Sequence, residues 1–302
     1  MTGFVCLYKP EDMTSFGAVA RVRRIMGEKK AGHCGTLDPM ATGVLPIMLG
    51  GATRFLDFLP SSKKRYTAVM RLGITTDTLD VTGEVLSENP VSVGCAEICE
   101  VAEKFKGDIM QIPPMYSAIK KDGVRMYDLA RQGIEVEREP RTVTIFRLDV
   151  FEEYEGITLS ADEYVLDVEC SSGTYIRTLI DDIGRELGCG AVMTSLKRTQ
   201  SSGFVIENAV TIEDLEKAAE SGDAESVLTS VFDAMDEYDV VTVSDGQAKR
   251  FSNGGALNLD RVNACKVDGL YRVVSPDGEF LGLGRADTQL RSLSVARVYV
   301  GR

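Results

Sequence analysis

Hydrophobic residues recur along the chain with the spacing of short strands and helices. A short apolar run indicates a strand around Val5–Tyr8, and strict alternation predicts a second strand over Tyr66–Gly73. Apolar residues three and four apart predict a helix over Ser15–Met26, which Gly27 ends. The same patterns predict helices over Ser92–Lys106, near Val124–Gln132 and over Thr174–Leu187, and strands over 142–151 and 163–170. Because strands and helices mix without strict alternation, the pattern favours an α+β fold over a doubly wound sheet.

Two stretches depart from this pattern. Residues 31–53 are rich in glycine, which predicts turns and close backbone approaches rather than regular structure. An acidic stretch, 211–239, begins with a helix-capping signal at Thr211 and Asp214, and from Val240 onward the runs are short and β-rich. These runs are Tyr271–Val274, Phe280–Leu283 and Leu293–Val300, with a turn at 275–278 between the first two. We therefore expect a domain boundary near residue 237, giving domains 1–237 and 238–302.

Composition narrows the protein class. The chain has 302 residues, of which 44% are hydrophobic and 26% charged, as in a globular protein. It shows no secretory signal pattern and no apolar run near the roughly 18 residues of a membrane span, so we expect a cytoplasmic protein without membrane contact. Its seven cysteines include no CxxC pair, which indicates a reducing compartment rather than a disulfide framework. A single histidine, His33, argues against a His/Cys zinc site and against a Ser–His–Asp hydrolase unless His33 is its base.

The net charge of −12 is unevenly distributed. Residues 1–75 carry a net charge of +6, residues 76–302 carry −18, and within the second part residues 240–302 return to +3. The acidic charge is concentrated in 143–169 and 211–239. This segregation is compatible with an anion-binding face on an acidic protein, because local potential rather than net charge steers a polyanion. Solvated surface faces are the alternative interpretation of such runs.

The most unusual segment is GHCGTLDPMATGVLP, residues 32–46. It places Asp38 among apolar residues and glycines, with Pro39 restricting the backbone beside it. Asp-Pro commonly starts a turn, but a plain turn does not need glycine and proline at this density. An apolar surround that limits water would suit a carboxylate acting as a nucleophile or general base.

At this segment the sequence resembles the TruB-type tRNA pseudouridine synthases. The residues of 32–47 look like the family's catalytic motif, and further motifs match in family order over essentially the whole chain. They are Lys9-Pro10, Lys64-Arg65-Tyr66, Pro113-Pro114-Met115-Tyr116-Ser117-Ala118, Gly173-Thr174-Tyr175-Ile176-Arg177-Thr178, and YRVVSPDGEFLGLG at 271–284. The resemblance implies an α+β catalytic domain with a mixed sheet, followed by a small β-rich PUA-like domain at 238–302.

The resemblance also implies a reaction. Such enzymes isomerise uridine 55 in the T-loop of tRNA: the C1′–N1 bond breaks, the uracil rotates while held, and a C1′–C5 bond forms. No electrons are exchanged, so we expect no redox cofactor and no metal. In agreement, no dinucleotide-binding GxGxxG follows a strand, and no GxxxxGK[ST] motif occurs.

Four residues match the family's active-site positions. Asp38 matches the catalytic aspartate, which would attack C1′, attack C6, or stabilise charge at C1′ while bond breaking is assisted at C2′. Arg177 matches the arginine that pairs with it, Tyr66 the tyrosine that stacks on uracil and relays a proton, and Leu196 an apolar residue of the uracil pocket. Taken alone, Arg177 could equally form a surface pair with Asp181 four residues on, and Tyr66 could be a core residue.

Further residues are implied to contact RNA. His33 matches a histidine that stacks where bases are extruded, although a lone histidine near a glycine is otherwise a surface or hydrogen-bonded residue. Tyr175 belongs to a matched motif that we assign to substrate binding. Phosphate contacts are expected from Lys9, Lys63, Lys64 and Arg65. The segment 113–142 resembles a mobile insertion that clamps the T-loop, with basic residues Lys120, Lys121, Arg125, Arg131, Arg138 and Arg141.

Cys34 stands where many relatives carry a small hydroxyl residue, and we do not interpret it as a nucleophile because only His33 lies nearby to activate it. Because the net charge is −12, binding to RNA requires the acidic segments 143–169 and 211–239 to face away from it.

Three functions remain as hypotheses: a stand-alone tRNA pseudouridine-55 synthase, a guide-dependent catalytic subunit of a ribonucleoprotein, and a non-catalytic RNA chaperone. The absence of basic tails and the four matched positions favour the first, acting on the tRNA T-arm as a monomer without an obligatory protein partner.

Overall fold

The computed structural model describes residues 1–60, 63–117, 119–121, 123–130, 132–262 and 267–301. Up to residue 205 its strands are β1 (Gly3–Lys9), β2 (Ala31–His33), β3 (Thr42–Leu49), β4 (Lys64–Leu72), β5 (Ile74–Thr76), β6 (Val85–Glu88), β7 (Gly107–Gln111), β8 (Lys120–Lys121), β9 (Val124–Arg125), β10 (Arg141–Phe151), β11 (Glu163–Cys170), β12 (Ala191–Ser201) and β13 (Phe204–Val205). The helices up to residue 220 are α1 (Ser15–Ile25), α2 (Cys95–Glu103), α3 (Met126–Ala130), α4 (Ile176–Glu186) and α5 (Ile212–Glu220). The remaining elements are β14 (Val240–Thr242), α6 (Asp245–Ser252), β15 (Leu257–Asn258), β16 (Gly269–Val274), β17 (Phe280–Asp287) and β18 (Ser292–Val298).

A mixed sheet forms the centre of the first part. Over the described residues it has nine strands in the order β1-β3-β12-β4-β11-β10-β7, with β2 paired to β3 and β13 paired to β12. Only the β3–β12 pairing within this sheet is parallel in those ranges, and the other pairings are antiparallel. Helices pack on one face, so the α+β class expected from the sequence is confirmed. Most predicted helices and strands form with small shifts of their ends, but the helix predicted near Val124–Gln132 is reduced to Met126–Ala130, because Val124–Arg125 form the strand β9.

The expectation of turns rather than regular structure over 31–53 is wrong at Ala31–His33 and Thr42–Leu49, which are strands, whereas the expected close backbone approach is found at Gly43. Residues Thr42–Leu49 form β3, which pairs with β1 along its whole length. Gly43 explains why a glycine belongs in this strand: its φ is +97°, and a Cβ there would lie 2.2 Å from the backbone oxygen of Arg198 on β12. The glycine therefore marks the close approach of two strands rather than a loop.

The main core lies between the sheet and its covering helices. It contains apolar side chains from alternate positions of β1, β3 and β4, and it includes Val22 of α1, Ile98 of α2, Leu179 of α4 and Leu215 of α5. Tyr66 of β4 points into this same layer. The helix-covered face of the sheet is therefore the face on which the matched tyrosine lies.

The residues after 239 form a second sheet, with the strand order β14-β16-β17-β18-β15 in the described part. It has its own core around Phe251, Val273 and Leu293. A further cluster joins it to the opposite face of the main sheet, where Phe4 and Phe55 pack with Phe280. The division near residue 237 stays a prediction. None of the described helices is long and apolar enough to span a membrane.

Candidate active site

A cleft of about 1360 Å³ opens at one end of the main sheet. The loop between β2 and β3, the start of β4, the turn after β5, the segment after β7 and the start of α4 all reach it. It brings together Asp38, Tyr66, Arg177, Leu196, His33, Lys64 and Tyr175. These are seven of the nine site residues expected from the sequence, drawn from positions 33 to 196 of the chain.

The loop that carries Asp38 is anchored through its backbone on both sides. Ser15 Oγ donates to the backbone oxygen of Leu37 at 2.9 Å and accepts the Leu37 N–H at 2.8 Å. Lys9 Nζ donates to the backbone oxygen of Pro39 at 3.0 Å. The two residues flanking Asp38 are thus fixed by side chains of β1 and α1, while the Asp38 side chain remains about one-third exposed, at 35%.

Arg198 of β12 holds the residues immediately before Leu37. Its side chain is fully buried, and its nitrogens donate to the backbone oxygens of Gly35 at 3.0 Å, Thr36 at 3.2 Å and Val44 at 2.8 Å. A buried guanidinium is tolerated where its donors are satisfied, as here. Arg198 therefore ties the start and the end of the Asp38 loop to the central strand β12.

Lys9, from which a phosphate contact was expected, lies inside the protein. Its side chain has 0% exposure, and besides Pro39 its ammonium donates to the backbone oxygens of Pro10 at 2.8 Å and Met13 at 2.7 Å. Burial lowers its pKa to about 8. These three backbone carbonyls show that Lys9 supports the loop, and the phosphate contact expected of it stays a prediction.

Arg177 lies between two carboxylates at the start of α4. Its Nη2 is 3.0 Å from Asp38 Oδ2, and its Nη1 is 3.5 Å from Asp80 Oδ2. The same nitrogens donate to the backbone oxygens of Thr78 at 2.9 Å and Tyr116 at 2.8 Å. The guanidinium is buried, at 5% exposure, and is therefore fixed in one orientation toward Asp38.

The alternative interpretation of Arg177 as half of a surface pair with Asp181 does not hold. Asp181 instead pairs with Arg185 at 2.6 Å, one turn further along α4.

The N-terminal end of α4 is held by a side chain of β7. The buried Gln111 side chain donates to the backbone oxygen of Tyr175 at 3.0 Å and accepts its N–H at 2.8 Å.

Tyr66 and Leu196 form the apolar floor of the cleft. They lie on the neighbouring strands β4 and β12, where Tyr66 pairs with Arg198 and Leu196 with Ala68. Both side chains are at least nine-tenths buried. Burial raises the pKa of Tyr66 above its usual range, although the nearby Arg198, to which it hydrogen-bonds, acts in the opposite direction. Tyr66 is therefore a neutral phenol at physiological pH.

Lys64 and Cys34 lie beside the Asp38 loop. A Cβ on Gly35 would be 3.3 Å from Lys64 Nζ, so this ammonium lies directly against the loop. Burial and the neighbouring Arg198 lower the pKa of Lys64 to about 8. Burial raises the pKa of the Cys34 thiol to about 12, which keeps it protonated. This protonation state agrees with the sequence-based view that Cys34 is not a nucleophile.

His33 lies at the edge of the cleft. Its Nδ1 accepts the N–H of Gly35 at 3.3 Å, which assigns the ring proton to Nε2 when the imidazole is neutral. Its ring meets Phe16 of α1 edge-on, with the centroids 5.4 Å apart. Phe16 is 57% exposed. Together the two rings present aromatic surface at the rim of the cleft.

Arg65 and Lys63 do not join the cleft residues. Strand alternation places Arg65 on the face of β4 opposite Tyr66. Arg65 Nε lies 3.2 Å from Glu169 of β11, and Lys63 lies 2.9 Å from the same carboxylate and 4.6 Å from the ring centroid of Phe146. Glu169 belongs to the acidic segment 143–169, so part of that segment's charge is neutralised by these cations. A phosphate contact by Arg65 stays a prediction and would lie outside the cleft.

The expected insertion at 113–142 covers one side of the cleft. Tyr116, Ser117, Ile119 and Tyr127 line it. Arg138 Nη1 donates to the backbone oxygen of Pro113 at 3.3 Å. Arg131, and the side chains of Lys120, Lys121 and Arg125, fall outside the described part of the structure. The role of this segment as a clamp stays a prediction.

Sequence analysis missed four residues that build the site: Asp80, Arg198, Ser15 and Gln111. Asp80 is buried and accepts hydrogen bonds from the side chain of Thr78 at 2.8 Å and the backbone of Thr82 at 3.0 Å. The dense Asp, Thr and Gly residues of 77–83 could have signalled a compact turn. Nothing local in the sequence marks Arg198, Ser15 or Gln111, because their partners lie at least 22 residues away. Within the described ranges, no group of three or more His, Cys, Asp or Glu side chains is arranged to hold a metal.

Comparison with protein-family models covers nearly the whole chain. Residues 23–176 match the TruB family pseudouridylate synthase N-terminal domain. Residues 177–238 match the tRNA pseudouridylate synthase B C-terminal domain, and residues 240–292 match the pseudouridine synthase II TruB C-terminal model.

Curated relatives and solved structures agree with these matches. The chain is 44% identical over 291 residues to tRNA pseudouridine synthase B of Clostridium perfringens, covering 95% of this chain and 96% of the relative. It is 40% identical over 301 residues to the protein of that name from Escherichia coli, covering 96% and 93%. A solved Cbf5-Nop10-Gar1 complex contains a chain that matches with a TM-score of 0.74 and 28% identity, covering 99% of this chain and 85% of that one. The cleft and these matches lead to one conclusion: the chain belongs to the TruB family of pseudouridine synthases.

Proposed function

We propose that this chain converts uridine 55 in the T-loop of tRNA to pseudouridine within the cleft. The observation that carries the proposal is the Asp38–Arg177 pair, 3.0 Å apart, at the opening of a cleft whose floor is formed by Tyr66 and Leu196. The TruB family membership and the tRNA pseudouridine synthase B relatives give the reaction class, an isomerisation.

Asp38 is the reacting carboxylate of the proposal. Arg177 pairs with it and fixes its orientation, because the guanidinium is itself fixed by Asp80 and two backbone carbonyls. An ionised carboxylate beside the target nucleotide serves each of the three routes: attack at C1′, attack at C6, or stabilisation of positive charge at C1′. In every route the C1′–N1 bond breaks, a C1′–C5 bond forms, C5 loses a proton and N1 gains one, so no other reactant is consumed.

Tyr66 and Leu196 enclose the uracil in the proposal. A detached base must be retained while it rotates, and water must be excluded from C1′, or hydrolysis would compete. Both requirements fit a buried aromatic ring and an apolar side chain at the floor of the cleft. Because Tyr66 is a neutral phenol, it donates a hydrogen bond or relays a proton rather than acting as a preformed base.

The rim of the cleft receives the RNA in the proposal. A uridine stacked within the T-loop must be flipped out to reach Asp38, and the aromatic surface of His33 suits a displaced base. Lys64 supplies positive charge beside the Asp38 loop, and Tyr175 also lines the cleft. The segment 113–142 and the PUA-like residues 238–302 would hold the T-arm and the acceptor stem. We expect a single copy to act without a protein partner.

A guide-dependent subunit is the second candidate function, and one observation favours it. The matched chains of the solved Cbf5-Nop10-Gar1 complex and of an H/ACA RNP bound to a substrate RNA have TM-scores of 0.74 and 0.73. Their identities are 28% and 26%, against 40% to 45% for the tRNA pseudouridine synthase B relatives. The higher identities support the stand-alone activity on tRNA.

The test is pseudouridine formation in an unmodified T-arm stem-loop, detected by chemical labelling and primer extension. Wild type should convert the single target uridine. Asp38→Asn should abolish conversion and leave RNA affinity within a few-fold, because the amide keeps the size of the side chain and removes its charge. Conversion by Asp38→Asn, or loss of binding in parallel with activity, would contradict the assigned role. Tight binding by wild type without conversion, repeated on full-length tRNA, would favour the guide-dependent or chaperone hypothesis.

A further inference from the structure

The outer face of α1 carries an unusual set of side chains. With about 3.6 residues per turn, Phe16, Ala20 and Arg23 lie on one face of the helix and Arg24 lies next to them. All four are exposed, whereas Ala18 and Val22 on the opposite face are buried in the main core. The loop after the helix adds two exposed lysines, Lys29 and Lys30. We call this surface, Phe16, Ala20, Arg23, Arg24, Lys29 and Lys30, the α1 track.

The α1 track connects two concave surfaces. At its first end, Phe16 lines the active-site cleft beside His33. At its second end, Ala20, Arg23, Arg24 and Lys29 line a shallow groove of about 380 Å³. Arg23 lies seven positions after Phe16 in the helix, a distance of about 10 Å, or roughly three base steps of a stacked strand at about 3.4 Å each. A strand that leaves the cleft past Phe16 would therefore reach the groove within a few nucleotides.

The positive charge of the α1 track is not neutralised by neighbouring side chains. Among the described residues, Arg23, Arg24, Lys29 and Lys30 make no ion pair, although the protein has a net charge of −12. Glu28, which also lines the groove, is 2.9 Å from the N-terminal amine and accepts the backbone N–H groups of Lys29 at 2.8 Å and Lys30 at 3.2 Å. Its charge is thus directed to other partners. A local excess of exposed cations on an acidic protein attracts a polyanion.

Arg21 provides an internal contrast. It lies on the same helix but on its flank, where it forms an ion pair with Glu216 of α5. The arginines of the α1 track have no such carboxylate on a neighbouring element within the described residues. The ion pair with α5 therefore accounts for Arg21, whereas Arg23 and Arg24 have only the favourable interaction of cations with the C-terminal end of their own helix.

We propose that the α1 track binds the sugar-phosphate backbone of the substrate RNA next to the nucleotides that enter the cleft. The inference rests on the proposed function for the identity of the RNA. Its own support is the continuity of the track with the cleft and the complementarity of its charge with phosphate. Phe16, beside His33, offers an aromatic face to a base at the point where the strand passes from cleft to track.

The experiment measures tRNA binding and turnover by three full-length proteins. They are wild type, the double variant Arg23→Gln/Arg24→Gln, and the matched control Arg21→Gln, which removes one arginine from the same helix. The dissociation constant for unmodified tRNA is determined at several salt concentrations. The double variant should bind about ten-fold more weakly at low salt, and the slope of log affinity against log salt should decrease by about 1 to 2, because each lost phosphate contact removes roughly 0.7 to 0.9.

Further readouts separate this surface from the active site. At saturating RNA the double variant should turn over like wild type, and Arg23→Lys/Arg24→Lys should restore both affinity and slope because charge alone is required. Wild-type affinity and slope in the double variant would overturn the proposal, as would an equal loss in Arg21→Gln. Absence of conversion by wild type would instead contradict the proposed function, while a selective binding defect in the double variant would still support an RNA-binding track.

Discussion

Arg198 has no exposed surface, and its guanidinium donates to the backbone carbonyl oxygens of Gly35 and Thr36 in the loop that presents Asp38 and to that of Val44 in β3. A lysine at this position would keep the charge but lose the planar fork that reaches three acceptors at once. At the residue scale, the Asp38 carboxylate is therefore positioned by side chains of other elements: Arg198, Lys9 and Ser15 hold backbone atoms of its loop, and Arg177 pairs with the carboxylate itself.

Arg198→Lys should lower both stability and turnover. Each hydrogen bond from a charged donor contributes roughly 1.5 to 3 kcal/mol, so losing one or two should reduce the free energy of unfolding by about 2 to 4 kcal/mol. Turnover should fall because the Asp38 loop loses its anchor on β12. Denaturant unfolding and single-turnover conversion measure the two effects. Lys197→Gln, at the exposed neighbouring position, is the control and should match wild type in both.

If Lys64 contacts RNA as proposed, the affinity for RNA should depend on pH. Because burial lowers its pKa to about 8, the ammonium loses its charge between about pH 7 and pH 9, and tRNA affinity should fall over that interval. Lys64→Met should bind more weakly at pH 7 and show a flatter profile. An identical fall in the methionine variant would assign the pH dependence to another group.

The lowered pKa of Lys64 also affects the free energy of unfolding, and this effect increases with pH, whereas RNA affinity should decrease. The folded pKa lies below the ordinary value of 10.5, so between about pH 8 and 10.5 the unfolded chain binds more protons at Lys64. The contribution of Lys64 to the free energy of unfolding therefore rises with pH through that window. RNA affinity and stability should thus move in opposite directions on the alkaline side.

At the scale of elements, the start of α4 depends on a contact from β7. Gln111 satisfies both the N–H and the carbonyl of Tyr175, and Arg177 follows two residues later. The helix has no side-chain cap of its own at Tyr175. A single buried amide thus sets where α4 begins and, through it, where the guanidinium that faces Asp38 lies.

Gln111→Met should weaken this arrangement. The apolar side chain leaves two backbone groups of Tyr175 without their partner, at about 1 to 3 kcal/mol each if they stay buried. The variant should have a lower free energy of unfolding and a lower turnover at saturating RNA, and its RNA affinity should change little. Gln289→Met, at an exposed position in the turn between β17 and β18, controls for the substitution type. Unchanged turnover in Gln111→Met would show that α4 keeps its position without this contact.

At the scale of the molecule, the two sheets share an apolar cluster. The ring centroids of Phe55 and Phe280 are 6.2 Å apart, and Phe280 also meets Tyr299 at 5.3 Å. Arg272 of β16 donates to the backbone oxygens of Tyr238 at 2.8 Å and Phe232 at 3.2 Å, on the segment that leads into the second sheet. The PUA-like part is therefore packed against the catalytic part and not attached only through a linker.

Removing residues 238–302 should consequently affect more than tRNA contact. The deletion exposes Phe55 and its buried neighbours on the main sheet, so the truncated protein should melt several degrees lower and self-associate. Thermal melting with light scattering measures this. A truncated protein that is monomeric and melts like wild type would show that the catalytic part folds independently. It would also allow the contribution of the second sheet to tRNA affinity to be measured on the truncated chain.

The sequence by itself determined the α+β class and most strands and helices, because these follow from local periodicity. Its motifs in family order also singled out Asp38, Tyr66, Arg177 and Leu196, which the structure brings to one cleft. The sequence could not determine that the glycine-rich segment contains β3, since the close approach of Gly43 to Arg198 joins residues 155 positions apart in the numbering. Nor could it assign Lys9 to the interior, because an exposed and a buried lysine have the same local pattern. Tertiary packing decided these points: hydrogen bonds between distant residues fix the Asp38 loop, and their partners meet only when the sheet has formed.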